Sequence, residues 1–428
     1  MSETTIAAPK PAAPQAPPEM PAAVTRNIWQ RALDAIAVPF LSLLTALIIS
    51  GFIIAFSDDA VIKALPNALH DPLGLLGAMW NAVWLAYSAL FSGALGSPRE
   101  VLSAFGQFVT TGNSAALLKS LNPLSESLVA SAPYIFAGLA VALGFRAGLF
   151  NIGAEGQIFA GALASAYVGY AITGLPWFIH LPLALLAGAA AGALCGAIPG
   201  YLKAKTGAHE VITTIMLNYV IFLLSDWLLN GPMKAQGGNP RSPEINATAY
   251  LPTLFPGLRL HWGFILALAV AAFLYWFLWK TTLGFELRTV GANPRAAKYA
   301  GINITRSIVL AMSMSGALAG LAGANELLGV NHYMANAFSP GYGFDSIALA
   351  LLGRSHPLGV VISAVVFGVL RSGATRMQTI ANVPVDIISI IQAMIIAFIA
   401  APAIVRWIYR VRVSGPQEQE VFTRGWGG

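Results

Sequence analysis

Long apolar runs that carry little or no charge alternate with short polar interruptions along most of the chain, at about residues 36–56, 127–145, 157–174, 176–201, 209–229, 263–279, 307–328, 343–353, 357–370 and 386–405. A hydrocarbon core of about 30 Å takes roughly 20 apolar residues per helix, so the pattern predicts an all-α polytopic membrane protein. About ten transmembrane helices are expected, within one domain at residues 25–412. Residues 1–24 are rich in Pro and Ala, hold almost no large apolar side chains and read as a disordered tail. A second tail follows at 413–428. The first apolar run begins near Ile36, too far from the start for a secretory signal, and is read as an uncleaved span.

Charge orients the spans. Arg26 and Arg31 precede the first run, Lys203 and Lys205 follow the fourth, and Lys280, Arg288, Arg295, Lys298 and Arg306 separate the sixth from the seventh. Arg406, Arg410 and Arg412 follow the last. In a ten-span arrangement all of these fall on one side, which the positive-inside rule makes cytoplasmic, together with both termini. Pro72–Pro98 is also charge-free and long enough to cross, but a crossing would turn every later basic cluster outward. It is therefore expected as an interfacial helix, with Trp80, Trp84 and Tyr87 at headgroup level, inside an extended periplasmic segment at 57–124.

Only 10% of the residues are charged and 57% are apolar, against roughly 25% charged in a soluble domain. The net charge of +6 serves orientation, since no basic run with interleaved aromatics suggests nucleic acid. Cys195 is the single cysteine, which excludes an intrachain disulfide and a CxxC redox pair. The six His residues are scattered and show no metal-ligand spacing, so no metal site is expected. No HExxH, GxSxG or paired-Asp signature suggests an intramembrane enzyme.

Three interruptions carry the polar groups. Residues 146–157 (RAGLFNIGAEGQ) place Asn151 and Glu155 between two apolar runs. Residues 206–219 (TGAHEVITTIMLNY) carry Glu210 and Asn218, and residues 341–359 (GYGFDSIALALLGRSHPLG) begin an eleven-residue apolar run with Asp345. Irregular backbone and ionisable groups at membrane depth are tolerated where they are buried in protein or line a wet cavity. These five residues are therefore expected to border a translocation path, with the third run a half-helix or a strongly tilted one. The alternative for the first break is a cytoplasmic turn. The Gly188, Gly192, Gly196 and Gly200 stripe, like Gly316 and Gly320, reads as close helix packing instead of a path.

The loop at 281–306 predicts a short helix: Asn293 as N-cap, Pro294 at the first position and Gly301 at the left-handed exit. Ala296, Tyr299 and Ala300 share one face, while Arg295 and Lys298 point elsewhere. Such a helix suits a groove on a cytoplasmic partner or, equally, a surface of anionic headgroups.

The strings GLFNIGAEGQ, EVITTIMLNY, GFELRTVGANPRAAKYAGI and FDSIALALLGRSHPLGVV, in this order, closely resemble permeases of bacterial ABC importers of the branched-chain amino acid, simple sugar and nucleoside group, over about residues 125–405. FNIGAEGQ looks most like the larger permease of nucleoside-uptake systems. The resemblance implies a type II-like importer permease in the bacterial inner membrane, with broken or re-entrant helices. It also implies a second, related permease chain, two ABC ATPase subunits that bind ATP and Mg, and an extracytoplasmic substrate-binding protein. On this resemblance Arg288, Asn293, Pro294 and Ala297 lie at coupling-helix positions, within a candidate ATPase-coupling segment of Arg288 and residues Asn293, Pro294, Arg295, Ala296, Ala297, Lys298, Tyr299, Ala300 and Gly301. The chain has no GxxxxGK[ST] loop, so no cofactor of its own is expected. A proton- or sodium-coupled carrier would also use broken helices, but it has no motor for the capped helix to engage.

Overall fold

The computed structural model describes residues 28–410 except 113, 337 and 385. The tails expected at 1–24 and 413–428, with Arg26 and Arg412, lie outside the described residues. The first helices are α1 (Ile28–Ser57), α2 (Asp59–Ala64), α3 (Pro72–Leu95) and α4 (Pro98–Thr111). Then come α5 (Ser114–Arg146), α6 (Ala154–Ala171), α7 (Trp177–Thr206), α8 (Glu210–Asn230) and α9 (Trp262–Lys280). The loop helices are α10 (Thr282–Ala292) and α11 (Pro294–Tyr299), and α12 (Ile304–Glu326), α13 (Tyr342–Leu352), α14 (Pro357–Ala381), α15 (Asp386–Ala400) and α16 (Pro402–Tyr409) complete the bundle. Among the described residues the only β-type pairings are two isolated bridges, Arg241 with Ala335 and Thr253 with His261.

Among the described residues eight helices are long and apolar enough to cross a membrane. Seven coincide with expected spans, and the eighth is α3 with its continuation α4. Of the remaining expected spans, α6 is an 18-residue helix with a polar first turn, α13 has 11 residues and α15 has 15. The run at 386–405 is not one helix. Pro402 lacks the amide that would continue α15 and holds Ala401 out of the helical region, so a new helix begins there.

The helix within Pro72–Pro98, α3, packs on the bundle. The small-residue face of α3, Ala82, Ala86, Ala89 and Ala94 with Leu90, is buried. Leu90 lies against Gly373 of α14, Val83 and Tyr87 lie against Gly51 of α1, and the Tyr87 hydroxyl donates to the Leu47 carbonyl. Small residues allow close approach, and α3 uses them to join the bundle.

The most enclosed helix is α5, whose residues from Tyr134 to Leu143 are almost wholly shielded. It packs antiparallel to α14, with Gly138 against Val360 and Ser127 and Ser131 against Gly368. The glycine stripe of α7 lies on α12: a Cβ on Gly192 would stand 2.8 Å from the Gly320 Cα, and one on Gly188 would stand 2.8 Å from the Ala324 Cβ. Gly161 of α6 meets Gly320 from another side. The stripe is thus a three-helix packing seam, as its spacing predicts.

Candidate functional site

The first interruption is a genuine break. α5 stops at Arg146, Gly148 takes a left-handed φ of 70°, and α6 starts at Ala154. Asn151 holds the turn together from a fully buried position. Its Oδ1 accepts the Gly153 N–H at 3.0 Å, and its Nδ2 donates to Gln157 Oε1 at 2.8 Å and to Ser315 Oγ of α12 at 2.9 Å. Ser315 in turn donates to the Ala140 carbonyl of α5 at 2.6 Å. Asn218 of α8 closes the turn from the opposite side, with Oδ1 accepting the Gly156 N–H at 2.9 Å and Nδ2 donating to the Ile152 carbonyl at 3.0 Å. Two side-chain amides thereby satisfy backbone groups that the interrupted helix leaves open, which is what makes a break tolerable inside an apolar bundle.

Glu155, in the first turn of α6, is 3% exposed. Its Oε2 accepts the Gly343 N–H at 2.5 Å, and Ser339 adds a side-chain hydrogen bond. A carboxylate at two helix N-termini meets favourable dipoles and open amides together. The third interruption supplies the second of these ends: Gly341 has a φ of 104°, α13 runs for 11 residues, and Arg354 and Ser355 turn the chain at left-handed φ of 51° and 50° before α14. Asp345 lies one turn into α13, and its Oδ2 accepts from the Tyr134 hydroxyl of α5 at 2.9 Å.

Four of the five candidate path residues, Asn151, Glu155, Asn218 and Asp345, therefore gather around the starts of α6 and α13. Glu210 does not join them. It sits at the α7–α8 turn and pairs with Lys203 at 2.5 Å, with His209 Nδ1 at 3.9 Å. Its carboxylate belongs to the start of α8, where it meets the positive end of the dipole and a neighbouring cation.

Sequence reasoning missed several members of this cluster. Gln157 was in view within the NIGAEGQ string, and Glu326 was visible as a carboxylate inside an otherwise apolar run. Glu326 is 8% exposed and hydrogen-bonds Tyr342, whose ring meets that of Tyr134 edge-on at 4.9 Å. Ser315 had no signal of its own beyond a place beside Gly316.

The short helix α11 matches its predicted caps. Asn293 Oδ1 accepts the Ala296 N–H at 3.1 Å, Pro294 opens the helix, and Gly301 leaves it at a φ of 81°. Tyr299 is 95% exposed, and Arg295, Ala296, Lys298 and Ala300 are exposed as well. Ala297 is the exception, fully buried against the chain's own helices. Its methyl group packs beneath α11.

The preceding helix, α10, reaches the first break. A Cβ on Gly148 would stand 2.9 Å from the Gly291 Cα, so the two backbones touch. Arg146 and Arg288 lie over Trp279, with guanidinium carbons 5.5 and 5.7 Å from its ring centroid. Arg146 also donates to the carbonyls of Ser355 (2.9 Å) and Arg354 (3.0 Å), and Arg288 donates to that of Leu278 (2.9 Å). His356 closes the cluster, its ring centroid 5.2 Å from that of Trp279; burial, then the Arg146 charge, lowers its pKa and favours the neutral ring. The first break, the turn after α13 and the α10–α11 segment thus share one aromatic and cationic hub. Among the described residues no cluster of His, Cys, Asp and Glu is placed to hold a metal ion.

The chain is 41% identical over 316 residues to the guanosine ABC transporter permease protein NupP of Bacillus subtilis, covering 72% of this chain and 90% of that one. It is 40% identical to the glucose ABC transporter permease protein TsgB13 of Haloferax volcanii, covering 64% and 75% of the two chains. It is 34% identical to the nucleoside ABC transporter permease protein NupB of Lactococcus lactis, covering 77% and 88%. No solved structure matches. The family described as branched-chain amino acid transport system / permease component matches residues 124–405, which hold both helix starts, the hub and the capped helix, and the chain belongs to that family of multi-pass ABC transporter permeases.

Proposed function

We propose that this chain is the membrane subunit of an ATP-driven importer of nucleosides, with ATP hydrolysed by separate ABC ATPase subunits that dock on α11. A second, related permease completes the path, and an extracytoplasmic binding protein delivers the substrate at the bacterial inner membrane. Both termini and the 281–306 loop face the cytoplasm. The observation that carries the reading is the backbone contact between Gly291 and the Arg146–Gly148 turn. A push on α11 passes through α10 to the turn that carries Asn151, and through Arg146 to the turn after α13. Closing and reopening the motors would then bias the two helix starts between outward and inward arrangements, which is alternating access by population shift. The chain itself does no chemistry.

Nucleoside is favoured as cargo by the names of relatives at 41% and 34% identity. A simple sugar is the second reading, favoured by the glucose permease at 40%. The test is co-expression with the products of the neighbouring genes, reconstitution in liposomes, and uptake of guanosine, adenosine, uridine and glucose with and without ATP. ATP-dependent nucleoside uptake is expected. Uptake driven by a proton or sodium gradient without nucleotide would overturn the reading.

A further inference from the structure

A groove of about 360 Å³ lies between α6, α8 and the segment leading into α13, a size within the range of small-molecule sites, roughly 300–1,000 Å³. One wall is aromatic. Phe159 and Phe222 pack edge to face at 4.9 Å, and Phe344 stands 47% exposed in the first turn of α13. The other wall is polar and built. Asp226 Oδ1 accepts from Asn230 Nδ2 at 2.9 Å and from Asn336 Nδ2 at 2.7 Å, which fixes the carboxylate and leaves Oδ2 without a hydrogen bond among the described residues. Beside it Ser225, 2% exposed, has a buried hydroxyl with no partner among the described residues. The buried Glu155 lines the groove as well, where it contacts the α13 start.

An unpartnered buried hydroxyl beside a half-used carboxylate asks for donors and acceptors from outside the chain. We propose that this groove is a transient nucleoside subsite of the translocation path, in which the base lies against Phe222 and Phe344 and the vicinal ribose hydroxyls reach Asp226 and Ser225. The chemistry matches term by term. A planar heteroaromatic ring stacks on aromatic side chains whatever its hydrogen-bonding edge, so one groove serves several bases. A carboxylate accepts from hydroxyls on adjacent carbons, and only the ribose end offers them. Because Glu155 contacts Gly343 at the same place, an occupied groove touches the element that the hub moves. The inference rests on the importer reading and narrows it.

The test is uptake of guanosine and 2′-deoxyguanosine by liposomes carrying the full importer, with the same binding protein in every sample. The wild type should favour guanosine. Asp226→Asn and Ser225→Ala should each shrink the guanosine-to-deoxyguanosine ratio, the first by about tenfold, as expected for one hydrogen bond to a charged group. Phe222→Leu should lower uptake of both and leave the ratio unchanged. A selectivity ratio is not moved by loss of folded protein, so partial misfolding of the Asp226 variant leaves the Ser225 variant readable. A wild type without preference, or a ratio unchanged in both polar variants, would overturn the subsite while leaving the importer intact. A wild type that carries no nucleoside with ATP would overturn both.

Discussion

Glu155 of α6 accepts the backbone N–H of Gly343 in the first turn of α13, at 2.5 Å across 188 residues of sequence. This single bond ties the start of one interrupted helix to the start of the other. The Gly343 side is tight as well, since a Cβ there would meet the backbone of Ala154 and Glu155. Neither helix start can move far without the other.

Replacing Glu155 separates this contact from its charge. Glu155→Gln keeps an oxygen for the Gly343 amide, so the permease should still assemble while uptake falls. Glu155→Ala leaves that amide unsatisfied in the interior, which should cost about 1–3 kcal/mol and lower the apparent unfolding temperature in detergent. Unchanged uptake in the Gln variant, measured at equal permease content, would remove Glu155 from the path.

The glycine seam should be the least tolerant place in the bundle. On Gly192, the Cβ alone would meet the backbone of Gly316 and Gly320, which have no flexible end to move aside. Gly192→Leu should abolish membrane-inserted, monodisperse protein, and even Gly192→Ala should cost about 1–3 kcal/mol through overpacking. By contrast, Gly106 has open space around it, so Gly106→Ala should have little effect on yield. Fluorescence size-exclusion profiles compare the three directly.

How much of this was legible in the sequence depends on where the information lies. The α11 caps were readable because Asn293, Pro294 and Gly301 act on their own backbone within a few residues. The breaks at 147–153 and 353–356 were readable because polar groups cannot be spread at random through apolar runs. What stayed hidden is tertiary. Nothing local says that Asn151 would find Ser315, or that Gly291 would touch Gly148. That Glu210 lies apart from the other four candidates was hidden for the same reason: its partner Lys203 is seven residues away across a turn, and charge alone does not say which way a carboxylate faces. Pro72–Pro98 was placed by counting charges, which says where a segment lies relative to the membrane and nothing of which helices its small-residue face packs against.

Sidedness is expected from the same charges and can be read chemically. In a Cys195→Ser background, a cysteine at Gly238 should react with a membrane-impermeant maleimide from outside, and one at Arg295 should not. A cysteine at Thr110, at the end of α4, should also react from outside. Labelling of position 295 in intact cells would reverse the orientation, and protection at 110 would place the end of α4 on the inner side.

Finally, the geometry of α11 makes unequal predictions for neighbouring residues. Ala297 is fully buried and faces the chain, so Ala297→Asp places a carboxylate where no partner waits; the cost should be several kcal/mol, enough to dislodge α11 from its seat. Ala300 is exposed beside Tyr299, so Ala300→Trp should leave the permease folded but alter the surface offered to the motor. Lys298 is exposed at the helix end, and Lys298→Ala removes a charge worth only tenths of a kcal/mol in that setting. The patch is too small to supply much affinity at roughly 25 cal/mol per Å², so geometry should matter more than charge. With the co-purified importer in liposomes, Ala297→Asp and Ala300→Trp should lose ATP-driven uptake while ATP hydrolysis persists, or lose the ATPase altogether, and Lys298→Ala should keep most of both. Full coupling in both alanine variants would show that the motor engages the chain elsewhere than α11.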